Sequence, residues 1–369
     1  MKQQSIVPAP LRALPWAPLL LVLFIAGFSC VVLYSAAGGS PTPWALNQAV
    51  RVAMFLTMAF ALSRIPQRGW EVAAFPIYAT ILVLLFGVEL LGSVRGGSQR
   101  WLNLGFMQLQ PSELMKVAIV LTVARFYALL PAGQLRTVTA LWPAGLLIGV
   151  PVGLVLLQPD MGTALMIAGG GLTVTFLAGL PLRLYIGAGL GLAAAGPIVF
   201  SLMHEYQRNR VLIFLDPESD PLGKGYHISQ SKIAIGSGGL TGKGYLQGTQ
   251  SRLDYLPERQ TDFVFATMAE EWGLAGGLFL IFAFFLLIRW GMQVAHRAKT
   301  KFARLTAAGL ATTIFFYVGI NLMMVMGLAP VVGIPLPLFS YGGSAVMTVM
   351  ICLGILMSID RETRKGRPI

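Results

Sequence analysis

The sequence predicts an all-α polytopic integral membrane protein of about ten transmembrane helices, with a long loop between the seventh and eighth. Three observations carry that class. Hydrophobic residues fill 56% of the 369 positions and charged residues only 11%, against about a quarter charged in soluble globular chains; mean hydropathy is +0.72. Apolar runs of about twenty residues recur throughout, each long enough to cross a hydrocarbon layer about 30 Å thick. The basic residues between those runs fall mainly in alternate loops, which is how membrane topology is encoded.

The first run, near 14–35, follows Lys2 and Arg12 and ends at Ser35-Ala36-Ala37. Those residues loosely resemble a signal-peptide cleavage site, but the run is longer than a secretory apolar region and suits an uncleaved span better. Further spans are expected near 46–65, 71–92, 112–130, 138–157, 162–180, 184–203, 263–289, 302–326 and 340–359. Arg64 and Arg68, Arg125 and Arg136, Arg183, the group from Arg289 to Arg304, and the tail from Arg361 to Arg367 then share one side. That side is expected to be cytoplasmic. The opposite loops, Gly38 to Ala45 and Gly327 to Phe339, hold no Lys or Arg. An even number of spans puts both termini inside, and residues 1–369 read as a single transmembrane domain.

A net charge of +12 invites a nucleic-acid reading, since clustered basic residues mark such surfaces. Here the charge is scattered through short loops, so no nucleic-acid partner is expected. Cys30 and Cys352 both lie inside apolar runs, where packing is the ordinary role of a cysteine.

Two outer connections depart from this pattern. Ser93 to Pro111 contains Arg95 and Arg100 in GSVRGGSQRWLNLGFMQLQPSE, and the loop of about 204–262 carries seven basic and seven acidic residues. Structureless loops of that length are uncommon, so the second is expected to be a working element. The glycines in IGSGGLTGKGYLQGTQ argue for turns and tight packing. Tyr226, Ile228, Ile233, Ile235, Leu240 and Tyr245 are candidate anchors against the bundle or the membrane surface.

Ionised groups within a bilayer cost several kcal/mol unless paired or solvated. Arg51, Glu89, Glu113, Lys116, Glu270 and Glu271 lie within expected spans, and Asp262 stands where a polar segment meets an apolar run. Glu113 and Lys116, three residues apart, share a helix face and are either an ion pair or, for Lys116, the edge of a wet cavity. Glu270 and Glu271 point about 100° apart, so at most one readily faces a narrow cleft. Asp160 begins a span in QPDMGTA, where a helix cap is its ordinary role.

Four stretches together resemble the SEDS family, also called FtsW/RodA/SpoVE. They are GSQRWLNLGFMQLQPSELMK at 97–116, QPDMGTA at 158–164, GTQSRLDYLPERQTDFVFATMAEEWG at 248–273, and GLAPVVGIPLPLFSYGGSA at 327–345. The likeness covers nearly the whole chain, and the form QTDFVFATMAEEWG with short termini is closer to the cell-elongation and rod-shape branch than to the division branch. The resemblance implies a peptidoglycan glycosyltransferase that polymerises lipid II on the outer face of the bacterial cytoplasmic membrane. Asp262 matches the family's essential aspartate, Trp101 its outer-loop tryptophan, and Glu113 and Lys116 its acid and lysine. It also implies a class B penicillin-binding protein, a transpeptidase, as partner, alongside membrane lipids.

The chemistry fits a single carboxylate. Glycosidases need two because an alkoxide must be protonated as it leaves, whereas undecaprenyl diphosphate departs without a general acid. Asp262 is then the general base on the acceptor 4-hydroxyl, and inversion at an α-linked donor needs no covalent intermediate. Arg51, Arg95, Arg100, Lys116, Arg208 and Arg210 are candidate cations for the diphosphate; Trp101, Glu113, Asp160, Glu258 and Arg259 complete the candidate substrate contacts. No residues have dedicated metal-ligand spacing, so a divalent cation such as Mg²⁺ or Mn²⁺ is expected only in company with substrate oxygens. A lipid II flippase is the rival reading, since intramembrane charges also suit a transport path. A scaffold that merely activates a partner is a third.

Overall fold

The computed structural model describes residues 15–95, 98–103, 108–134, 138–203, 205–216, 220 and 223–365. Within them the chain is a helical bundle. In order the helices are α1 (Trp16–Ala36), α2 (Ala45–Leu62), α3 (Gln67–Leu91), α4 (Pro111–Leu129), α5 (Val138–Leu157), α6 (Met161–Leu177), α7 (Leu182–Ala194) and α8 (Gly196–Leu202). They continue with α9 (Glu205–Leu215), α10 (Lys224–Ser237), α11 (Thr249–Arg252), α12 (Val264–Arg297), α13 (Lys301–Val325) and α14 (Gly343–Lys365).

Seven helices are long and apolar enough to cross a membrane: α1, α2, α3, α5, α12, α13 and α14. The remaining expected spans correspond to α4, to the 17-residue α6, and to α7–α8 taken together. Helix α4 carries Glu113, Lys116 and Arg125 and is buried along most of its length, so protein rather than lipid surrounds its charges. Small residues let the central helices approach closely. A Cβ at Gly309 of α13 would lie 2.6 Å from Val120 of α4 and 2.7 Å from Val174 of α6. Helix α7 is the opposite case and has no buried residue.

The connection after α3 is not plain coil. It forms a small antiparallel sheet of β1 (Ser93–Arg95), β2 (Ser98–Asn103) and β3 (Gln108–Leu109), in the order β1-β2-β3. The long loop is likewise built, holding α9, α10 and α11, with α10 packed on α12. Its expected anchors divide. Ile228 is buried and Ile235 packs against the core, and the Tyr245 hydroxyl donates to the Val31 carbonyl at 3.3 Å. Ile233 and Leu240, in contrast, are exposed.

The glycine-rich run after α10 closes a break in α12. Gly273 has φ 64° and ψ −163° inside the helix, a conformation that only glycine adopts cheaply. The rungs lost there are remade by the loop: Lys243 N–H donates to Glu270 O (3.0 Å), Gly244 N–H to Glu271 O (3.1 Å), Leu274 N–H to Gly239 O (2.9 Å) and Ala275 N–H to Leu240 O (3.1 Å). The approach is so close that a Cβ at Gly242 would lie 2.0 Å from the Glu271 carbonyl oxygen.

Candidate active site

A helix that crosses in one direction is followed by one that returns, so every second span starts at the same face of the bundle. The starts of α2, α4, α6, α12 and α14 converge there on one cleft of about 1060 Å³. Trp44 opens α2, Gln110 and Glu113 open α4, Asp160 and Thr163 open α6, Asp262 precedes α12, and Gly342 to Ser344 begin α14; all line the cleft. Helix N-termini carry partial positive charge and unpaired N–H groups, so this convergence favours an anionic ligand. Arg51 and Arg100 add formal charge to the lining. Deeper along α2 come Met54 and Phe55, faced by Met347 of α14. Along the helix, Trp44 to Phe55 spans about 16 Å at 1.5 Å per residue, from a polar mouth to an apolar end.

Asp262 sits in the turn that leads into α12. Thr261 N–H and Phe263 N–H both donate to the Glu258 carbonyl, at 3.0 and 3.3 Å, and Glu258 itself has φ 51°. The Asp262 carboxyl is partly buried, and burial pushes its pKa up to about 6, assisted by the negative charge of Glu258 and opposed by Arg210. Its side chain accepts no hydrogen bond among the described residues. Its backbone carbonyl, by contrast, accepts from Asn321 Nδ2 at 3.0 Å. Gly333 faces the carboxylate, and a Cβ there would make ordinary contact with Oδ2 at 3.6 Å. A carboxylate held near pKa 6 in a cleft, with free lone pairs, is suited to take a proton near neutral pH.

Of the other expected site residues, Arg51, Arg100, Trp101, Glu113 and Asp160 line the cleft with Asp262. The Arg51 guanidinium lies over the Tyr341 ring, 4.3 Å from its centre. Arg100 donates to the Pro159 carbonyl at 2.6 Å and the Gln158 carbonyl at 3.3 Å, and stands 3.6 Å from Asp160. Asp160 caps α6 by accepting from Thr163 N–H at 3.1 Å, and the same side chain also lines the cleft.

Several expectations need correction. Lys116 does not face a wet cavity. It is 1% exposed, its ammonium 2.6 Å from Glu113 Oε1 and 2.9 Å from the Tyr317 hydroxyl. Tyr317 and Thr348 also donate to Glu113 Oε2. Glu113 thus reaches the cleft while its partner stays sealed behind it, because the i,i+3 pair lies across the helix start. Arg208, exposed on α9, does not line the cleft, nor does Arg210, which acts on Asp262 through its charge. Glu258 is an exposed turn residue accepting from the Thr261 hydroxyl at 2.7 Å. Arg259 donates to the Ser251 carbonyl at 2.6 Å, pairs with Asp254, and lies 5.5 Å from the centre of the Trp44 ring. Arg95 ends β1, and its side chain lies outside the described part of the structure.

Glu270 and Glu271 are both buried and neither lines the cleft. Glu270 accepts from the N–H groups of Thr249, Gln250 and Ser251 and from Lys243, and Glu271 accepts from Ser35. Glu89 is exposed near the end of α3. Sequence reasoning missed Trp44, Gln260, Tyr341 and Asn321. Gln260 and Tyr341 lie inside the quoted motifs at 248–273 and 327–345, whereas Trp44 lies outside all four and an isolated Asn in an apolar run gave no sign of its partner. Among the described residues, no three His, Cys, Asp or Glu side chains gather as a metal site. Glu113 and Asp160 are already engaged, which leaves Asp262 as the cleft carboxylate with free lone pairs among the described residues.

Comparison with known proteins matches residues 13–365 to the cell cycle protein family FtsW/RodA/SpoVE. The peptidoglycan glycosyltransferase MrdB of Escherichia coli K12 is 49% identical over 350 residues, 94% of this chain and 93% of that protein. MrdB of Helicobacter pylori J99 is 35% identical, covering 93% of this chain and 87% of its own. Among solved structures, a chain of a peptidoglycan synthase complex that coordinates polymerisation and crosslinking superposes with TM-score 0.82 at 34% identity, covering 96% of this chain and 99% of that one. The rod shape determining protein RodA of Thermus thermophilus superposes with TM-score 0.71 at 30% identity, covering 95% and 97%.

Proposed function

The chain belongs to the FtsW/RodA/SpoVE family and is a multi-pass membrane peptidoglycan glycosyltransferase, and from that premise we propose that Asp262 is its general base. The substrate is lipid II, taken on the outer face of the bacterial cytoplasmic membrane with both chain termini inside. The observation that carries the reading is the one cleft carboxylate that accepts no hydrogen bond among the described residues, its pKa raised to about 6 by burial, in a cleft where five helix N-termini meet.

In the transfer, Asp262 takes the proton of the acceptor 4-hydroxyl as that oxygen bonds to the donor's anomeric carbon. The bond from that carbon to the diphosphate breaks, and undecaprenyl diphosphate leaves with the electron pair. One β-1,4 linkage forms with inversion and no covalent enzyme intermediate. Arg51, Arg100 and the helix starts stabilise the departing charge. Met54, Phe55 and Met347 give prenyl carbons an apolar wall, and Trp44 and Trp101 give sugar rings an aromatic one. A divalent cation, when bound, would neutralise diphosphate charge, held chiefly by the substrate's own oxygens. A class B penicillin-binding protein is the partner that crosslinks the product, a pairing supported by the likeness to a chain of a synthase complex. Asp262→Ala, assayed on purified lipid II in detergent, is expected to insert and fold normally yet make no glycan. Normal polymerisation by that variant ends the assignment.

A further inference from the structure

The geometry points to Asn321 as a positioning residue for the transfer: its side-chain amide fixes the peptide of Asp262 to the opposite wall of the cleft. The inference rests on reading Asp262 as the base. Asn321 lies in the last turns of α13, where its nearest helix neighbours, Ile320, Leu322, Met323 and Met324, are apolar, and is fully buried. A buried amide in such a helix is unfavourable unless its hydrogen bonds are made. Both of its N–H groups are used, one on Asp262 O at 3.0 Å and one on Ile334 O at 2.7 Å. Its Oδ1 has no partner among the described residues. The side chain is therefore committed entirely to joining two carbonyls that belong to two walls of one cleft.

Those walls are the turn carrying Asp262 and the segment Gly333 to Pro335, which all line the cleft. Ile334 follows the glycine that faces the Asp262 carboxylate, so clamping its carbonyl fixes the surface on which that carboxylate rests. A second stitch joins the turn to the start of α14, from Tyr341 N–H to Gln260 O at 2.8 Å. Asn321 holds one side of the Asp262 turn and Tyr341 the other. One turn before Asn321 on the same helix, Tyr317 holds Glu113, another cleft carboxylate. Loss of the clamp lets the turn swing outward, which misplaces the base and lets water reach it.

The test is polymerisation of purified lipid II by full-length protein, with folded fraction and the pH dependence of kcat measured on the same samples. Asn321→Leu removes both donors at similar volume, and Asn321→Ser keeps one. The leucine variant is expected to lose kcat about 100-fold, the scale of a 1 Å misplacement. Its acid-side midpoint should move below that of the wild type measured in the same assay, and the serine variant should fall between on both measures. Unchanged kcat per folded molecule with an unchanged midpoint overturns the proposal, because a purely structural role alters only the folded fraction. If Asn321→Leu does not fold, the serine variant decides by the same criteria. Asp262→Asn, run in parallel, separates the two levels. Activity there removes the base assignment itself, whereas an inactive Asp262→Asn beside wild-type behaviour at position 321 removes only the clamp.

Discussion

Asp262 and Glu270 are carboxylates eight positions apart, and the fold treats them in opposite ways. Glu270 is fully buried and surrounded by donors: three backbone N–H groups of α11, the Thr249 hydroxyl and the Lys243 ammonium. Asp262 lines the cleft, and its carboxylate accepts nothing among the described residues. A carboxylate with all its lone pairs used is a fixed anchor, because taking a proton would break the bonds that hold it. One left unsatisfied in a partly desolvated place is ready to bind a proton, and the fold supports it through its backbone instead. Glu270 anchors the loop; Asp262 is kept free for chemistry.

The contrast can be broken by exchanging which residue is neutralised. Asp262→Asn is expected to lower the polymerisation rate at least about 10³-fold, within the range of general-base catalysis. Its thermal midpoint at neutral pH should be equal to or above wild type. The sign follows from the raised pKa of about 6. Ionisation disfavours the folded state, whose stability falls as pH rises through that value. A midpoint well below wild type would show that the carboxylate has a structural task after all.

Glu270→Gln is expected to behave inversely, with turnover per folded molecule near wild type and stability reduced by about 3 kcal/mol, the scale of breaking a buried pair. Denaturation of the purified variant checks this. Gly242→Ala attacks the same anchor from the loop side. The added methyl meets the Glu271 carbonyl oxygen at 2.0 Å and should cost about 1–3 kcal/mol as overpacking, read by the same unfolding assay. The smallest effects sharpen the Asp262 side. The pH dependence of kcat should rise through about 6. Glu258→Gln should move that limb to lower pH by removing a nearby negative charge, and Arg210→Gln should move it higher. An unmoved limb in both variants would separate these charges from the base.

The spans were legible because hydropathy acts on consecutive residues. Each of the ten expected apolar runs corresponds to helix, from Trp16–Ala36 to Gly343–Lys365, and Asp262 stood out by its place at a polar–apolar border. Lys116 was only half legible. Spacing gave its pairing with Glu113, but not that Tyr317, 201 positions away, would seal it from the cleft. The glycines of the long loop announced tight packing, though not that they would complete a broken helix.

What the sequence determined by itself is the membrane architecture, the family and the carboxylate at the boundary, since burial in lipid and charge placement depend on local composition. Tertiary structure alone decided which charges share the cleft, that Asn321 reaches across 59 positions to the Asp262 carbonyl, and that Glu270 is an anchor. Those outcomes depend on hydrogen bonds between segments that meet only when alternate spans bring their N-termini to one face, and no stretch of sequence contains both partners.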